Sequence, residues 1–246
     1  MEMGFIYDLE GFVHRFQSAL EKNMALPELI EQGRKLLSQL VSSSLWLQGT
    51  LARLVLDEEF LRQQWHSIDP NDILLYRAPD GLFSVRAFVW EPGVNYPIHD
   101  HGAWGIVGAC INRIRERKYQ RLDDGSREGY AEVGLKADAA LSPSETTYVL
   151  PLDEGIHQME ALDGKTAVTI HVYGRPVRKG FIQFFDPVNR RVQKMYPPQV
   201  LKKILAIRTL GSVEDSWAEE VLQEAARMTQ PEYLQAEIKS ALSRRV

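Results

Sequence analysis

The sequence has very little cysteine and lacks long hydrophobic runs. A single cysteine, Cys110, excludes a disulfide within the chain, which is typical of a protein of the reducing cytoplasm. No apolar stretch approaches the length of a membrane span, and residues 1–4 lack the basic-then-apolar pattern of a secretion signal. We therefore expect a cytoplasmic protein that has no membrane partner.

An excess of positive charge is also absent. The net charge of -4 is unlike that of proteins that bind nucleic-acid phosphates, so we expect no nucleic-acid partner. A chain of 246 residues is long enough to bury a substantial core as one domain with extensions. Whether it is a monomer or a homodimer stays open.

Three zones of different periodicity follow one another. In residues 1–70 and again in residues 198–246 apolar side chains recur at helical spacing. Residues 71–197 contain short runs rich in Val, Ile, Phe, Tyr and Thr, which are separated by turns rich in Gly, Pro and Asp. We expect an N-terminal helical segment, a mainly β barrel or sandwich and a C-terminal helical extension with these bounds. The C-terminal helices either pack on the barrel or form a dimer contact.

Two of the six histidines lie two residues apart, at His99 and His101. Residues two apart on a strand project from the same face, so both imidazoles point in one direction and Asp100 points in the other. His157 lies at a turn-rich approach to a later strand. We expect His99, His101 and His157 to bind one metal ion, and the alternative is a purely structural role.

The motifs around these histidines resemble those of the cupins, small double-stranded β-helix barrels that usually hold a metal ion. Gly93, five residues and then His99-x-His101 are similar to the first cupin motif, and residues 151–157 are similar to the second. Most metal-binding cupins continue the first motif with a glutamate ligand, whereas residues 102–108 contain no carboxylate. The resemblance implies a jelly-roll-like cupin barrel with helical extensions at both termini.

A three-histidine cupin without that glutamate resembles the thiol dioxygenases, relatives of cysteine dioxygenase and mercaptopropionate dioxygenase. Residues 88–93 and 97–105 are close to the sequences of that family, and the similarity covers about residues 72–185. The resemblance implies a non-haem dioxygenase with one Fe(II) per chain. Its partners would be O₂ and a small thiol, cysteine or a related mercapto-acid, which it would oxidise to the sulfinic acid.

The same family has a Ser-x-His-x-Tyr strand behind the metal, whose side chains form a hydrogen-bonded relay. This chain has Thr169, His171 and Tyr173 in that pattern, and strand alternation puts all three on one face. The resemblance implies that they are the catalytic residues. Thr169 would orient His171, which would hold Tyr173, and the phenol would donate a hydrogen bond toward oxygen or substrate.

One departure from the family concerns the relay tyrosine. Mammalian-type enzymes carry a cysteine that is cross-linked to it, and this chain has Gly105 at that position. We therefore expect Tyr173 to be unmodified and Cys110 to lie in the core. Trp90 and Trp104 are expected to form an apolar wall of the pocket.

A second departure concerns the substrate carboxylate. The family holds it with an arginine or a glutamine on an early strand, a position that here falls near Asp72 or Ile73. Arg77 and Arg86 are the candidate substrate-binding residues nearby. Which thiol is the substrate therefore stays open.

Other function classes fit a cupin as well. A metal- and ligand-binding module without turnover is one alternative, and another metal enzyme, quercetinase-like or an isomerase, is the other. Imidazole ligands suit zinc, copper and nickel as well as iron, so iron follows from the resemblance alone.

Overall fold

The computed structural model describes residues 8–64, 68–228 and 230–244. The expectation for residues 1–4 lies outside these ranges. The described residues form two compact units, one of residues 8–64 with 69–194 and the other of residue 68 with 195–228 and 230–244. Within the described ranges, no helix combines the length and the apolar character needed to cross a bilayer.

Helices precede the strands in the first unit. They are α1 (Leu9–Leu20), α2 (Leu26–Val41), α3 (Gln48–Leu56) and α4 (Glu58–Gln63), with a short 3-10 helix at Leu45–Leu47. The strands are β1 (Asp72–Arg77), β2 (Phe83–Trp90), β3 (Ile98–His101), β4 (Gly105–Ile111), β5 (Ile114–Arg121), β6 (Val133–Leu141), β7 (Thr146–Val149), β8 (Leu152–Ala161), β9 (Ala167–Gly174), β10 (Ile182–Asp186) and β11 (Arg191–Met195).

The strands form two sheets whose order identifies the fold. The five-stranded sheet has the order β1-β2-β9-β4-β7, and the six-stranded sheet has the order β11-β10-β3-β8-β5-β6. From β2 to β9 the chain alternates between the two sheets except at the β5–β6 hairpin, and its strand pairs are antiparallel. This is the double-stranded β-helix of a jelly roll. The predicted fold is confirmed, with helices at both ends of the chain.

The outer face of the five-stranded sheet packs on the N-terminal helices. Along β9, Val168, Ile170 and Val172 are buried in one cluster with residues of α1 and α2, among them Phe16 and Leu37. The alternate residues of β9 face the inside of the barrel because successive side chains on a strand point to opposite sides. The helices thus cover one side of the sheet and leave its other side for the site.

The second unit is helical. It contains α5 (Pro198–Leu210), α6 (Ser216–Arg227) and α7 (Glu232–Ser243). Each helix has at least one buried apolar residue, and these include Ile204, Leu222 and Ile238. An ion pair of 2.6 Å joins α5 to α7 through Arg208 and Glu237.

Candidate metal centre

Neighbouring strands of the six-stranded sheet bring three histidines together. His99 and His101 lie on β3, and His157 lies on β8 directly opposite His99. The register breaks between His99 and His101, where His101 is opposite Leu152. Each pair of imidazole ring centroids is 4.8–4.9 Å apart. The three residues predicted from the sequence therefore converge on one point inside the barrel.

Hydrogen bonds turn one nitrogen of His99 and one nitrogen of His157 toward that point. His99 donates from Nδ1 to the carbonyl of Pro97 at 3.0 Å, and His157 donates from Nδ1 to Glu116 at 2.7 Å. Because a neutral imidazole has one donor and one acceptor nitrogen, Nε2 of both rings presents a lone pair. The tautomers follow from these partners.

The pKa values of His99 and His101 favour the neutral form that a metal needs. Burial lowers the pKa of His99 to about 3, and the neighbouring His157 adds to this effect. Burial also lowers the pKa of His101 well below its usual range, helped by the charges of the other histidines. Both imidazoles are therefore unprotonated at neutral pH and have no proton to lose on binding an ion.

The donor set fits a divalent transition-metal ion. The Nε2 atoms of His101 and His157 are 2.9 Å apart, and the three ligand atoms lie within 4.8 Å of one another. Metal–nitrogen bonds of about 2.1 Å at right angles place two nitrogens about 3 Å apart. Imidazole suits zinc, copper, iron and nickel alike, so the donors fit such an ion without selecting one.

An ion pair fixes the back of β3. Asp100 points away from the site, is fully buried, and accepts two hydrogen bonds from the guanidinium of Arg178 at 2.6 and 2.8 Å. The backbone N–H of Gln183 donates to the same carboxylate at 2.7 Å. Such a bidentate, charge-assisted contact is among the stronger ones in proteins. It restrains the backbone between His99 and His101.

The relay predicted on β9 has hydrogen-bond geometry throughout. Thr169 Oγ1 is 2.8 Å from His171 Nε2, and His171 Nδ1 is 2.8 Å from the Tyr173 hydroxyl. Trp90 donates from its indole N–H to Thr169 Oγ1 at 2.7 Å. The sequence interpretation gave Trp90 only a role as an apolar wall and missed this bond, which joins residues 79 positions apart.

The donor-only indole gives the relay a direction. Thr169 accepts from Trp90, so its own hydroxyl proton is available to donate to His171 Nε2. His171 then carries its proton on Nδ1 and donates to the oxygen of Tyr173. Tyr173 is left with its own proton free to donate into the site.

Tyr173 lies beside the three-histidine group. Its ring centroid is 5.3 Å from that of His101. Burial raises the pKa of Tyr173 well above its usual value, and the charges of Asp72 and Asp69 raise it further. The side chain is therefore a neutral phenol at physiological pH and a hydrogen-bond donor.

Gly105 lies directly opposite Tyr173. A Cβ atom on Gly105 would be 2.7 Å from Cε1 of the tyrosine ring, closer than carbon atoms can approach without a shift. The ring thus occupies the space that a side chain on Gly105 would need.

A buried carboxylate behind His157 was missed in the sequence. Glu116 on β5 is 3 % exposed and accepts the hydrogen bond from His157 Nδ1. Burial raises the pKa of Glu116, but the hydrogen bond from His157 and the charges of His157 and Lys118 outweigh burial, and the net pKa is lowered. The sequence signal that could have revealed its inward position is strand alternation. Glu116 is two residues from Ile114, which is buried, so the two side chains point to the same face of the strand.

The two candidate substrate-binding arginines have different positions. Arg86 on β2 lies directly opposite His171, so its side chain shares the inner face with the relay. It forms an ion pair with the buried Asp72. Arg77 is exposed at the end of β1. Of the two, only Arg86 has its side chain on the inner face of the barrel.

Two further expectations concern residues of the helix-covered face. Trp104 packs with the outer cluster, 6.4 Å from Phe16 between ring centroids, so it does not form a wall of the pocket. Its neighbour in sequence, Gly105, is the residue that faces Tyr173. Cys110 is buried in the same outer cluster, as expected, and burial raises its pKa to about 11.

No family model matches the sequence. Among solved structures, a cupin 2 conserved barrel domain protein from Salinispora arenicola has 19% identity, covers 44% of this chain and 80% of its own, and has a TM-score of 0.32. An RmlC-like cupin protein from Ralstonia eutropha has 11% identity, coverage of 51% and 68%, and a TM-score of 0.33. The DMSP lyase DddQ from Ruegeria pomeroyi has 13% identity, coverage of 42% and 45%, and a TM-score of 0.31.

These similarities are confined to about half of the chain, and the fold follows from the strand order of the chain itself. The protein has a double-stranded β-helix with a group of three histidines that can hold a metal ion.

Proposed function

We propose that the protein is an Fe(II)-dependent dioxygenase that oxidises a small thiol to its sulfinic acid. The observation that carries the proposal is the contact between two parts of the site. A tyrosine held by a three-member hydrogen-bonded relay lies beside a three-histidine group, with Tyr173 and His101 ring centroids 5.3 Å apart. The resemblance of both motifs to the thiol dioxygenases adds the reaction type.

His99, His101 and His157 would hold the ion through neutral nitrogens. Bound iron would supply adjacent positions for a thiolate and O₂ and would take up charge from the thiolate. The reaction balances without a further reductant, because both oxygen atoms of O₂ end on the thiol sulfur. Four electrons pass from that sulfur to O₂.

The protein's own contribution is a hydrogen-bond donor that is held in a fixed position. Tyr173 keeps its proton because its pKa is raised by burial, and His171 holds its oxygen from behind. A preorganised donor stabilises negative charge that develops on oxygen or sulfur near it. Thr169 and His171 are positioning residues for that donor.

The proposal specifies a thiol at one end of the substrate but not the chemical group at its other end. Arg86 faces the relay and is the candidate to hold a carboxylate, but Asp72 pairs with it. A mercapto-acid would have to compete with Asp72 for the guanidinium. A thiol that has no carboxylate, such as cysteamine, would not, so both kinds belong in the assay.

The test is oxygen uptake by Fe(II)-loaded protein with cysteine, mercaptopropionate, mercaptosuccinate and cysteamine. We expect uptake with at least one of these thiols, with one O₂ consumed per sulfinate formed. Protein that binds one iron per chain and consumes no oxygen with any thiol would contradict the proposal. That result would favour a cupin that binds metal and ligand without turnover.

A second arm separates a dioxygenase from a binding module. Replacing Tyr173 by Phe removes the phenol hydroxyl and leaves the histidine ligands in place. We expect kcat to fall by about 100- to 1,000-fold, as for removal of a preorganised donor, with unchanged iron content. Uptake that is unaffected in Tyr173→Phe would show that the relay is not used.

A further inference from the structure

Glu116 holds a carboxylate against the third metal ligand. One oxygen accepts the hydrogen bond from His157 Nδ1 at 2.7 Å, and the other accepts one from the hydroxyl of Thr147 at 2.7 Å. Lys118 Nζ lies 3.6 Å from the second oxygen. All three of these polar contacts are to donors, and the nearer of the two ion-pair partners is His157.

A carboxylate buried to this degree needs a reason. Removing a carboxylate from water costs several kcal/mol, a penalty that pairing offsets only with good geometry. An apolar side chain at position 116 would pack beside Met159, which lies directly opposite on β8, at no such cost. The orientation of His157 is what the carboxylate provides and an apolar residue would not.

The charge of Glu116 also changes the character of the site. Three neutral imidazoles bring no negative charge to a divalent ion. A carboxylate that accepts the N–H of a ligand imidazole makes the opposite nitrogen a stronger donor. Glu116 thus adds negative charge to the site indirectly, through His157, where a glutamate ligand would add it directly.

We propose that Glu116 is a positioning residue of the metal centre, which fixes His157 with Nε2 toward the ion and strengthens that nitrogen as a donor. The site therefore holds a divalent cation more tightly than three histidines alone would. It also favours the higher oxidation state of a bound iron, because added negative charge lowers the reduction potential. This inference rests on the metal site of the proposed function and is independent of the thiol substrate.

Lys118 allows the effect of the Glu116 charge on metal affinity to be tested by a variant that removes this charge and by one that leaves it less screened. Its ammonium lies 3.6 Å from the carboxylate and offsets the negative charge of that group. The ammonium also donates a hydrogen bond to the carbonyl of Tyr148 on the surface side. Replacing Glu116 by Gln keeps an acceptor for His157 and removes the negative charge. Replacing Lys118 by Met removes the opposing positive charge and leaves the carboxylate in place.

The experiment measures the Zn²⁺ dissociation constant of the full-length protein by competition with a chelator. We expect Glu116→Gln to bind about 10- to 100-fold more weakly, as is common when a partner behind a ligand histidine is lost. Lys118→Met should bind more tightly than wild type, because the carboxylate keeps its charge and loses the neighbouring ammonium. Asp138→Asn is the matched control, since Asp138 pairs with Arg115 on the exposed side of the same sheet and should leave affinity unchanged.

A spectroscopic readout distinguishes positioning from a general loss of structure. In the Co²⁺-loaded protein, each ligand imidazole N–H gives a hyperfine-shifted proton signal. The signal of His157 should exchange slowly with solvent in wild type, because Glu116 covers it, and should move and exchange faster in Glu116→Gln. The signals of His99 and His101 should stay in place.

Equal affinity in wild type and Glu116→Gln would overturn the inference and leave the proposed function standing. Weaker binding in Lys118→Met, to the same extent as in Glu116→Gln, would also overturn it, since packing and not charge would then be responsible. Wild-type protein that binds none of Zn²⁺, Co²⁺ and Fe²⁺ would overturn both this inference and the metal site. If Glu116→Gln does not fold, the sign of the Lys118→Met effect decides.

Discussion

The indole nitrogen of Trp90 donates a 2.7 Å hydrogen bond to the hydroxyl of Thr169. Thr169 in turn is bonded to His171, which is bonded to Tyr173. The tyrosine beside the metal site thus lies at the end of a four-residue chain that begins with a group able only to donate. Such a chain has one favourable direction, which places a donor proton on Tyr173.

Replacing Trp90 by Phe should lower kcat with the best thiol and leave metal content unchanged. The lost hydrogen bond contributes about 0.5–1.5 kcal/mol, which corresponds to a fall of about 2- to 10-fold in rate. The control is Trp46→Phe, because Trp46 donates a similar bond to the carbonyl of Leu40 among the N-terminal helices. Equal losses in the two variants would mean that the indole acts only through packing.

Replacing Gly105 by Ala should displace Tyr173 without touching a ligand. The new methyl would meet Cε1 and Cδ1 of the ring at 2.7 and 2.8 Å, so the phenol must move. A shift of this size at a reacting group costs about 10- to 100-fold in kcat, and the Zn²⁺ affinity should not change.

The control for this variant is Gly49→Ala. Gly49 lies in α3, where a Cβ atom would have no neighbouring atom within 4 Å, and alanine favours a helix there by about 1 kcal/mol. In a Tyr173→Phe background, Gly105→Ala should cost little further activity, since the hydroxyl that it displaces is already gone. A large additional loss in that background would place the effect elsewhere.

The barrel and the His99–His101 pair could be predicted from the sequence because their signals are local. Alternation along residues 167–174 predicts which side chains face inward, and His99 and His101 lie two apart on one strand. Turns rich in Gly, Pro and Asp at regular spacing separate the strands. Each of these signals lies within a few residues and needs no knowledge of which strands pair.

The residues that support the ligands could not be predicted in this way. Glu116 stands between Arg115 and Arg117, a pattern typical of a solvated strand, and only the pairing of β5 with β8 brings it to His157. The bond from Trp90 to Thr169 likewise depends on the register of β2 against β9. Long-range register is set by the closure of the whole barrel, which no short window of sequence contains.

Replacing Asp72 by Asn should release Arg86 to bind a substrate carboxylate. Asp72 and Arg86 form a mostly buried ion pair on the inner face of the barrel. A hydrogen bond to a charged group contributes about 1.5–3 kcal/mol, so KM for mercaptopropionate should fall about tenfold or more relative to KM for cysteamine. Cysteamine has no carboxylate and serves as the control within the same variant. An unchanged ratio of the two KM values would exclude Arg86 as the carboxylate anchor.

The stability of the metal-free protein should depend on pH through Asp69. Burial raises the pKa of Asp69 from 3.8 to about 6, and the charge of Asp72 adds to the rise. Between these two pH values the folded protein keeps a proton that the unfolded chain has lost, so the free energy of unfolding should fall as pH rises from about 4 to 6 and level off above. The total contribution is at most about 3 kcal/mol, and less to the extent that solvent reaches the carboxyl.

Urea unfolding of wild type and Asp69→Asn from pH 4 to pH 8 measures this contribution as a difference. The buried histidines have lowered pKa values, and they destabilise the folded protein as pH falls, which is the opposite sign. Their effect is common to both proteins and cancels in the difference. We expect the stability of wild type relative to Asp69→Asn to decrease across pH 4 to 6, because only wild type has a carboxyl that must lose its proton in the folded state. A difference that stays constant over that range would show that Asp69 has an ordinary pKa in the folded protein.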